Sequence, residues 1–358
     1  IETSEDYEER QDLLCMKGYV LEFQGEHEEA RKVFGQVLDP LVRNGPQQFT
    51  RIDGTKNEVY VLDSKLLGGA FVCKTQKDKK LVELEEKRTS FFREAGGERF
   101  VKSLGIIVGD GVHYNATRRV GRFGLNDYLL ERHYEEARDI LDESLEAVLL
   151  LHLRSKDRLD EAGKLFGEED FRKTLWRKFV EREKLKGNVL LGVERGLSTL
   201  VEKLESVWRT VAHGDYHPGN VRVDENGNIC IIDAEDGIIT TPYVDPVGMV
   251  GSHLFGEILN DEDSFRVLRN YNDNAVESGA PVSIEESMWQ THLAGVFKHL
   301  TQFGSVAKFT EPEEFEVVRA HHIQKGLAHI RALEGFGTSG IDDLRTLKTY
   351  LEDIYCNA

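Results

Sequence analysis

The sequence predicts an α+β fold: a small antiparallel sheet, a larger and mainly helical remainder, and a helical extension ahead of both. Three observations predict it. Short apolar runs punctuated by turn residues crowd residues 49–116, as the strands of a small sheet do. Amphipathic stretches of helical period fill residues 127–208 and 262–358. Between these stretches a single apolar hairpin, residues 221–232, interrupts the helical pattern. At 358 residues the chain is long enough for about two lobes with substantial cores.

In chain order, residues 7–19 and 26–38 read as two helices, the second with Ala30, Val33, Phe34 and Val37 on one face. Gly18-Tyr19 and the run Gly25-Glu26-His27-Glu28-Glu29-Ala30 resemble one tetratricopeptide unit. Such repeats bury their faces only in stacks, so a single unit reads as a helical pair capping the sheet; a repeat that binds a protein partner is the alternative. Asn44-Gly45-Pro46 ends the helical pattern. Residues 49–52 and 58–62 make two strands around the turn Asp53-Gly54-Thr55-Lys56-Asn57. A third strand, 70–75, carries Lys74 after an apolar run.

The next helix spans 79–95, with Leu81, Leu84, Phe91, Phe92 and Ala95 marking its apolar side. Glu85 falls on that side, and a buried carboxylate needs a cation, for which Lys74 is the candidate. Glu86 is the rival; Glu85 lies nearer the centre of the face. Strands at 105–108 and 112–116 flank the turn Gly109-Asp110-Gly111, and Arg118-Arg119-Val120-Gly121 leads into the helical remainder. There, residues 148–153 are apolar on nearly every face except at His152, which makes that helix central.

The run Val211-Ala212-His213-Gly214-Asp215-Tyr216-His217-Pro218-Gly219-Asn220 precedes the hairpin's first strand, and Asp233 follows its second. Two carboxylates and an amide therefore stand at the edges of one hairpin. Phosphoryl transfer uses such a set: one carboxylate for the acceptor hydroxyl's proton, an amide oxygen and a second carboxylate for magnesium. His213-Gly-Asp215-Tyr-His217-Pro-Gly-Asn220 followed by Ile232-Asp233-Ala-Glu235-Asp236 resembles the aminoglycoside phosphotransferase and choline kinase group of small-molecule kinases. Protein kinases carry Arg where Gly214 stands and Asp-Phe-Gly where Asp233-Ala234-Glu235 stands, which places the resemblance in the small-molecule branch. It covers roughly residues 49–251.

The resemblance implies a two-lobed protein-kinase-like fold, with a nucleotide-binding lobe at 47–119 and a catalytic and acceptor-binding lobe at 120–358, preceded by the helical extension read at 1–46. It implies that Gly54 and Asn57 belong to a loop covering the nucleotide, that Lys74, positioned by Glu85, neutralises phosphate charge, and that Val120 offers backbone groups to adenine. Asp215 becomes the catalytic carboxylate, Asn220 and Asp233 the magnesium ligands, and Asp245 a structural tie from the catalytic loop to the following helix. His213 braces that loop; His217 does the same or approaches the phosphates. The implied cofactors are ATP or GTP and Mg2+, and the implied partner is a small hydroxyl acceptor, an aminoglycoside, choline-like amine, sugar or amino-alcohol.

A formal net charge of −18 argues against nucleic-acid binding, which needs a basic face. It suits a cationic acceptor, although solubility alone explains it as well. No apolar run is long enough to span a bilayer and no signal-peptide pattern opens the sequence, so a cytoplasmic location is expected. Cys15, Cys73, Cys230 and Cys356 are too scattered for a zinc site or a disulfide framework. His321-His322 lack a third ligand at metal spacing and read as ordinary helix residues. The reading from another class is a kinase-like scaffold that binds a protein through its N-terminal helices; it predicts a degraded site, whereas Lys74, Asp215, Asn220 and Asp233 are all present. Phosphorylation of a protein is disfavoured because only a few residues separate Asp236 from Pro242, too few for an activation segment.

Overall fold

A computed structural model of the chain describes residues 49–52, 58–64, 69–76, 78–109, 112–121, 123–224, 226–256, 258–303, 312–336 and 342–356, with 29, 32 and 33. The tetratricopeptide-like pattern and both Gly54 and Asn57 lie outside the described residues, apart from those three helical positions. The chain divides into two compact units, Ile1–Arg122 with Val223–Glu235, and Phe123–Arg222 with Asp236–Ala358. No described helix is long and apolar enough to cross a membrane.

The first unit is built on an antiparallel sheet of β1 (Phe49–Ile52), β2 (Glu58–Ser64), β3 (Gly69–Thr75), β4 (Ser103–Gly109) and β5 (Val112–Arg118), in the order β1-β2-β3-β5-β4. Lys74 on the central β3 pairs with Val59 on β2 and Asn115 on β5. Helix α1 (Lys79–Gly96) starts where the Asp78 carboxylate accepts from Lys80 N at 2.8 Å, and it ends at Gly97 with φ of 83°. Its buried side carries Glu85, Phe91, Phe92 and Ala95 as expected and differs at Leu81, which is 46% exposed, and at Val82, Glu86 and Thr89, which turn inward. Two carboxylates thus share the buried face, of which Glu85 is met by a cation from β3 and Glu86 by a hydroxyl on the next turn.

The hairpin belongs partly to this unit. Val101 N donates to Ile231 O at 2.9 Å and Ile231 N to Arg99 O at 2.7 Å, so the strand Ile229–Ile231 docks on the segment after α1. In the turn before it, Asp224 accepts from the N–H groups of Asn226 and Asn228, both at 2.8 Å. This docking fixes Asp233 two residues further on.

The second unit is mainly helical. Helix α2 (Tyr134–Ser155) runs through its core, with Val148, Leu151 and His152 fully buried, as the apolar run around 148–153 predicts. A small sheet joins Thr210–Ala212 antiparallel to Ile238–Thr240, which pairs parallel with Gly167–Glu168. Four further helices matter below: α3 (Val244–Val250), α4 (Asp261–Glu277), α5 (Ile284–Phe303) and α6 (Pro312–Gly335). Along the α5–α6 contact runs a ladder of buried imidazoles. His292 Nδ1 is 2.9 Å from His329 Nδ1, and His299 Nδ1 is 3.1 Å from His322 Nδ1. The rings of His299 and His329 stack at 5.6 Å. In each Nδ1···Nδ1 contact one ring donates and the other accepts, and because burial disfavours charge on all four rings the two members of a pair are opposite tautomers.

Candidate active site

Each unit holds one group of functional side chains. In the first, Lys74 Nζ lies 2.8 Å from Asp233 Oδ1, 2.6 Å from Glu235 Oε2 and 3.4 Å from Glu85 Oε1. Glu85, not Glu86, is therefore the α1 carboxylate that reaches the lysine; Glu86 accepts from Ser90 Oγ. Burial pulls the Lys74 pKa down, but the charges of Asp233 and Glu85 and the hydrogen bonds to Asp233 and Glu235 outweigh it and hold the ammonium protonated. Burial also raises the Glu85 pKa, opposed by Lys74 and by the 2.8 Å hydrogen bond from Gln76 Nε2. Asp233 has φ of 66°, in the left-handed region that a non-glycine residue adopts at a cost of order 1 kcal/mol. The docked strand Ile229–Ile231 imposes that conformation and turns the carboxylate to the lysine. Glu235 was not singled out from the sequence, where it is merely one of several acidic residues after Asp233. Val120 is half-buried just beyond β5.

In the second unit, residues 213–220 form a loop whose shape is set by Asp245. This carboxylate is fully buried on α3 and accepts from His213 N at 2.6 Å, Gly214 N at 3.1 Å and His152 Nε2 at 3.0 Å. Tyr271 Oη lies 2.6 Å from His152 Nδ1, which puts the imidazole proton on Nε2, facing the carboxylate. Burial opposes the charge on Asp245, yet these hydrogen bonds and the imidazoles of His152 and His213 bring its pKa below the ordinary carboxylate value. The expected tie from loop to helix is thus made through backbone N–H groups, and His152, which reads as an interruption in an apolar helix, completes it. Gly214 is required: its φ is 81°, and a Cβ there would stand 2.1 Å from Asp236 O.

The loop presents Asp215 to solvent. His217 Nε2 faces its Oδ2 at 3.6 Å, and Gly219 N donates to His217 Nδ1 at 3.1 Å, which leaves the ring proton on Nε2. The His217 imidazole first, then the charges of Lys298 and His213, hold the Asp215 carboxyl well below the usual carboxylate range against the opposing effect of burial. Asp215 is accordingly ionised at neutral pH. Asn220 is buried and donates through Nδ2 to Asp215 O at 2.8 Å, an orientation that reserves Oδ1 for a cation or donor. Lys298, on α5, donates to Gly214 O at 3.3 Å; nothing near it in the sequence marks it. His321 Nε2 donates to Gly251 O at the C-terminal end of α3, at 3.0 Å, and His322 belongs to the imidazole ladder, so neither is placed as a metal ligand.

The profile of the phosphotransferase enzyme family matches residues 50–277. Choline kinase LicA from Streptococcus pneumoniae is 12% identical, with 85% of this chain and 98% of that chain aligned and a TM-score of 0.51. An ethanolamine kinase from Plasmodium vivax is 13% identical, with 84% and 88% aligned and a TM-score of 0.52. Among curated protein sequences none matches. At these identities the likeness is one of fold, and that fold is the protein-kinase-like α+β one.

Proposed function

This chain belongs to the phosphotransferase enzyme family, and from that premise we propose that it transfers the γ-phosphate of ATP, or GTP, to a hydroxyl of a small molecule. The observation that carries the reading is the solvent-facing, ionised Asp215 on a loop whose N–H groups are pinned by a buried carboxylate. The names of the two structural relatives, a choline kinase and an ethanolamine kinase, support a small acceptor over a protein.

Asp215 accepts a hydrogen bond from the acceptor hydroxyl and aims its lone pair at the γ-phosphorus. As the new O–P bond forms and the bond to the β,γ-bridging oxygen breaks, the hydroxyl proton passes to an Asp215 oxygen and then to water, and the nucleoside diphosphate leaves. A carboxylate with so low a pKa is a weak base. Orientation therefore matters more than proton abstraction, which suits a loose transition state in which the proton moves late. Lys74, held by Glu85, offsets charge on the nucleotide phosphates.

The donors present suit magnesium. The carboxylates of Glu85, Asp233 and Glu235 lie within 4.8 Å of one another, and three carboxylates against one ammonium leave negative charge in excess. Asp233 and the Asn220 amide oxygen are the hard oxygen ligands assigned to it. When bound, the ion would offset the charge that builds on the phosphate oxygens.

The test is nucleotide consumption by the purified protein against a panel of hydroxyl compounds, in wild type and Asp215→Ala. Loss of the positioned carboxylate should lower turnover by about 10²–10⁴-fold, with nucleotide still bound. Wild-type turnover in Asp215→Ala would refute the assignment.

A further inference from the structure

We propose that the acceptor carries an anionic group, a carboxylate or a phosphate, and that Lys298 together with Lys178 receives it while the acceptor hydroxyl meets Asp215. The inference rests on the reading of Asp215 given above, and it concerns the second unit alone.

Lys298 is a half-buried cation in a helix that is otherwise buried from Thr291 to Leu300. Its ammonium reaches the residue preceding Asp215, at 3.3 Å from Gly214 O. The path crosses α3 at Gly248, where a Cβ would stand 2.7 Å from Lys298 Cε and 3.3 Å from Nζ. The absence of a side chain at that position is what lets the lysine lie against the catalytic loop. Among the described residues, that one carbonyl is the ammonium's polar partner, and no carboxylate lies within ion-pair distance of it.

Lys178 lies on the π-helical turn Trp176–Val180, which packs against α5; Phe171 and Phe297 meet edge to face at 5.0 Å beside that contact. It too makes no ion pair among the described residues. Burial is the first cause that lowers its pKa, and the Lys298 charge is the next; Glu169 acts in the opposite sense, while Arg177 and Arg182 add to the lowering. The Glu169 carboxylate is already engaged by Thr174 Oγ1. Two like charges are thus held within each other's field, both half-buried and neither in an ion pair among the described residues. Such an arrangement costs stability in the free protein, and an anion placed between them recovers it. Uncompensated charge of this kind is characteristic of binding sites.

The net charge of −18 points toward a cationic acceptor, but a total says nothing about where charge lies. Beside Asp215 stand Lys298, His217 and His213, none of them acidic. An acceptor bearing an ammonium would face two lysines there, whereas a hydroxy acid or a sugar phosphate would place its anion on them and its hydroxyl on the carboxylate.

The experiment uses the full chain with ATP and magnesium and follows nucleoside diphosphate release over three sets of compounds: hydroxycarboxylates, sugar phosphates, and amino-alcohols with aminoglycosides. Turnover should fall in one of the first two sets, and which one identifies the anion. Lys298→Gln should raise KM for that acceptor roughly 10- to 100-fold, the worth of one hydrogen bond to a charged group, and leave KM for ATP unchanged. Lys298→Arg should restore most of the loss, and Lys298→Gln should melt no lower than wild type, because it relieves repulsion. Turnover of an amino-alcohol or aminoglycoside that is indifferent to Lys298→Gln overturns the proposal. So does a rise in KM for ATP, which would make the lysine a nucleotide contact. If no compound turns over, inorganic phosphate is the probe: it should raise the melting temperature of wild type more than that of the Lys178→Gln/Lys298→Gln pair, and equal shifts overturn the proposal. Failure to bind ATP at all would sink the phosphotransferase reading, while the phosphate result would still decide this one.

Discussion

Acidification should destabilise this protein before its carboxylates titrate, through the imidazole ladder between α5 and α6. Burial pushes His292 down to about 4 and His322 down to about 3, and burial with neighbouring imidazoles holds His299 and His329 well below the ordinary value of 6.5. The unfolded chain takes up these protons near pH 6.5 and the folded chain refuses them. Stability is therefore fully present above pH 6.5, falls as pH drops below it, and stops falling only below the folded pKa values. At pH 5 a group that remains neutral in the fold costs about 2 kcal/mol, since each pH unit below 6.5 is worth about 1.4 kcal/mol. The two members of a pair titrate together, so counting one imidazole for each pair is the conservative figure. That gives a loss of about 4 kcal/mol by pH 5, a large share of the roughly 5–15 kcal/mol that domains typically possess.

The charged neighbours push the same way. Lys325, paired to Asp261 at 2.9 Å, acts on His299 and His329; His321, His253 and Lys298 act on His322; Asp261 favours a charge only on His321. Glu85 and Glu183, raised by burial, work in the opposite sense, and Asp215 and Asp245 stay ionised throughout this window. The assay is denaturant unfolding at several pH values from 7.5 to 5.0, in wild type and in His299→Leu/His322→Leu. Wild type should lose about 4 kcal/mol over that range and the double variant about 2, one pair having been removed. A flat wild-type profile, or an identical slope in the variant, would refute the reasoning.

Two other outcomes follow from the site. Asp245→Ala removes the acceptor of three hydrogen bonds and strands His152 in the core, so unfolding free energy should fall by about 3–5 kcal/mol, with turnover lost as the Asp215 loop loosens; equilibrium unfolding would expose the error if stability held. Lys74→Met leaves Glu85, Asp233 and Glu235 without their ammonium, and fluorescent-nucleotide titration should show affinity roughly 10- to 100-fold weaker. Wild-type affinity would remove Lys74 from any phosphate role.

Much of this could be read in the sequence because it is local. The strands of the first unit and the helices after 261 depend on hydropathy period and turn residues within a few positions of each other, and the spacing from His213 to Asp236 narrows the chemistry by itself. The tertiary structure decided what depends on partners far along the chain. Lys74 and Asp233 are 159 residues apart, His152 and Asp245 93, Lys298 and Gly214 84. Whether Glu85 can be buried, whether His152 is filler or a brace, and whether Lys298 is a solvated helix lysine or a group beside Asp215 turns on which opposite charge, carbonyl or vacant Cβ position folding brings to it. The α1 face shows both sides: Glu85 is buried against Lys74 as its place on the apolar face implied, whereas periodicity alone pointed Leu81 inward and the fold leaves it exposed.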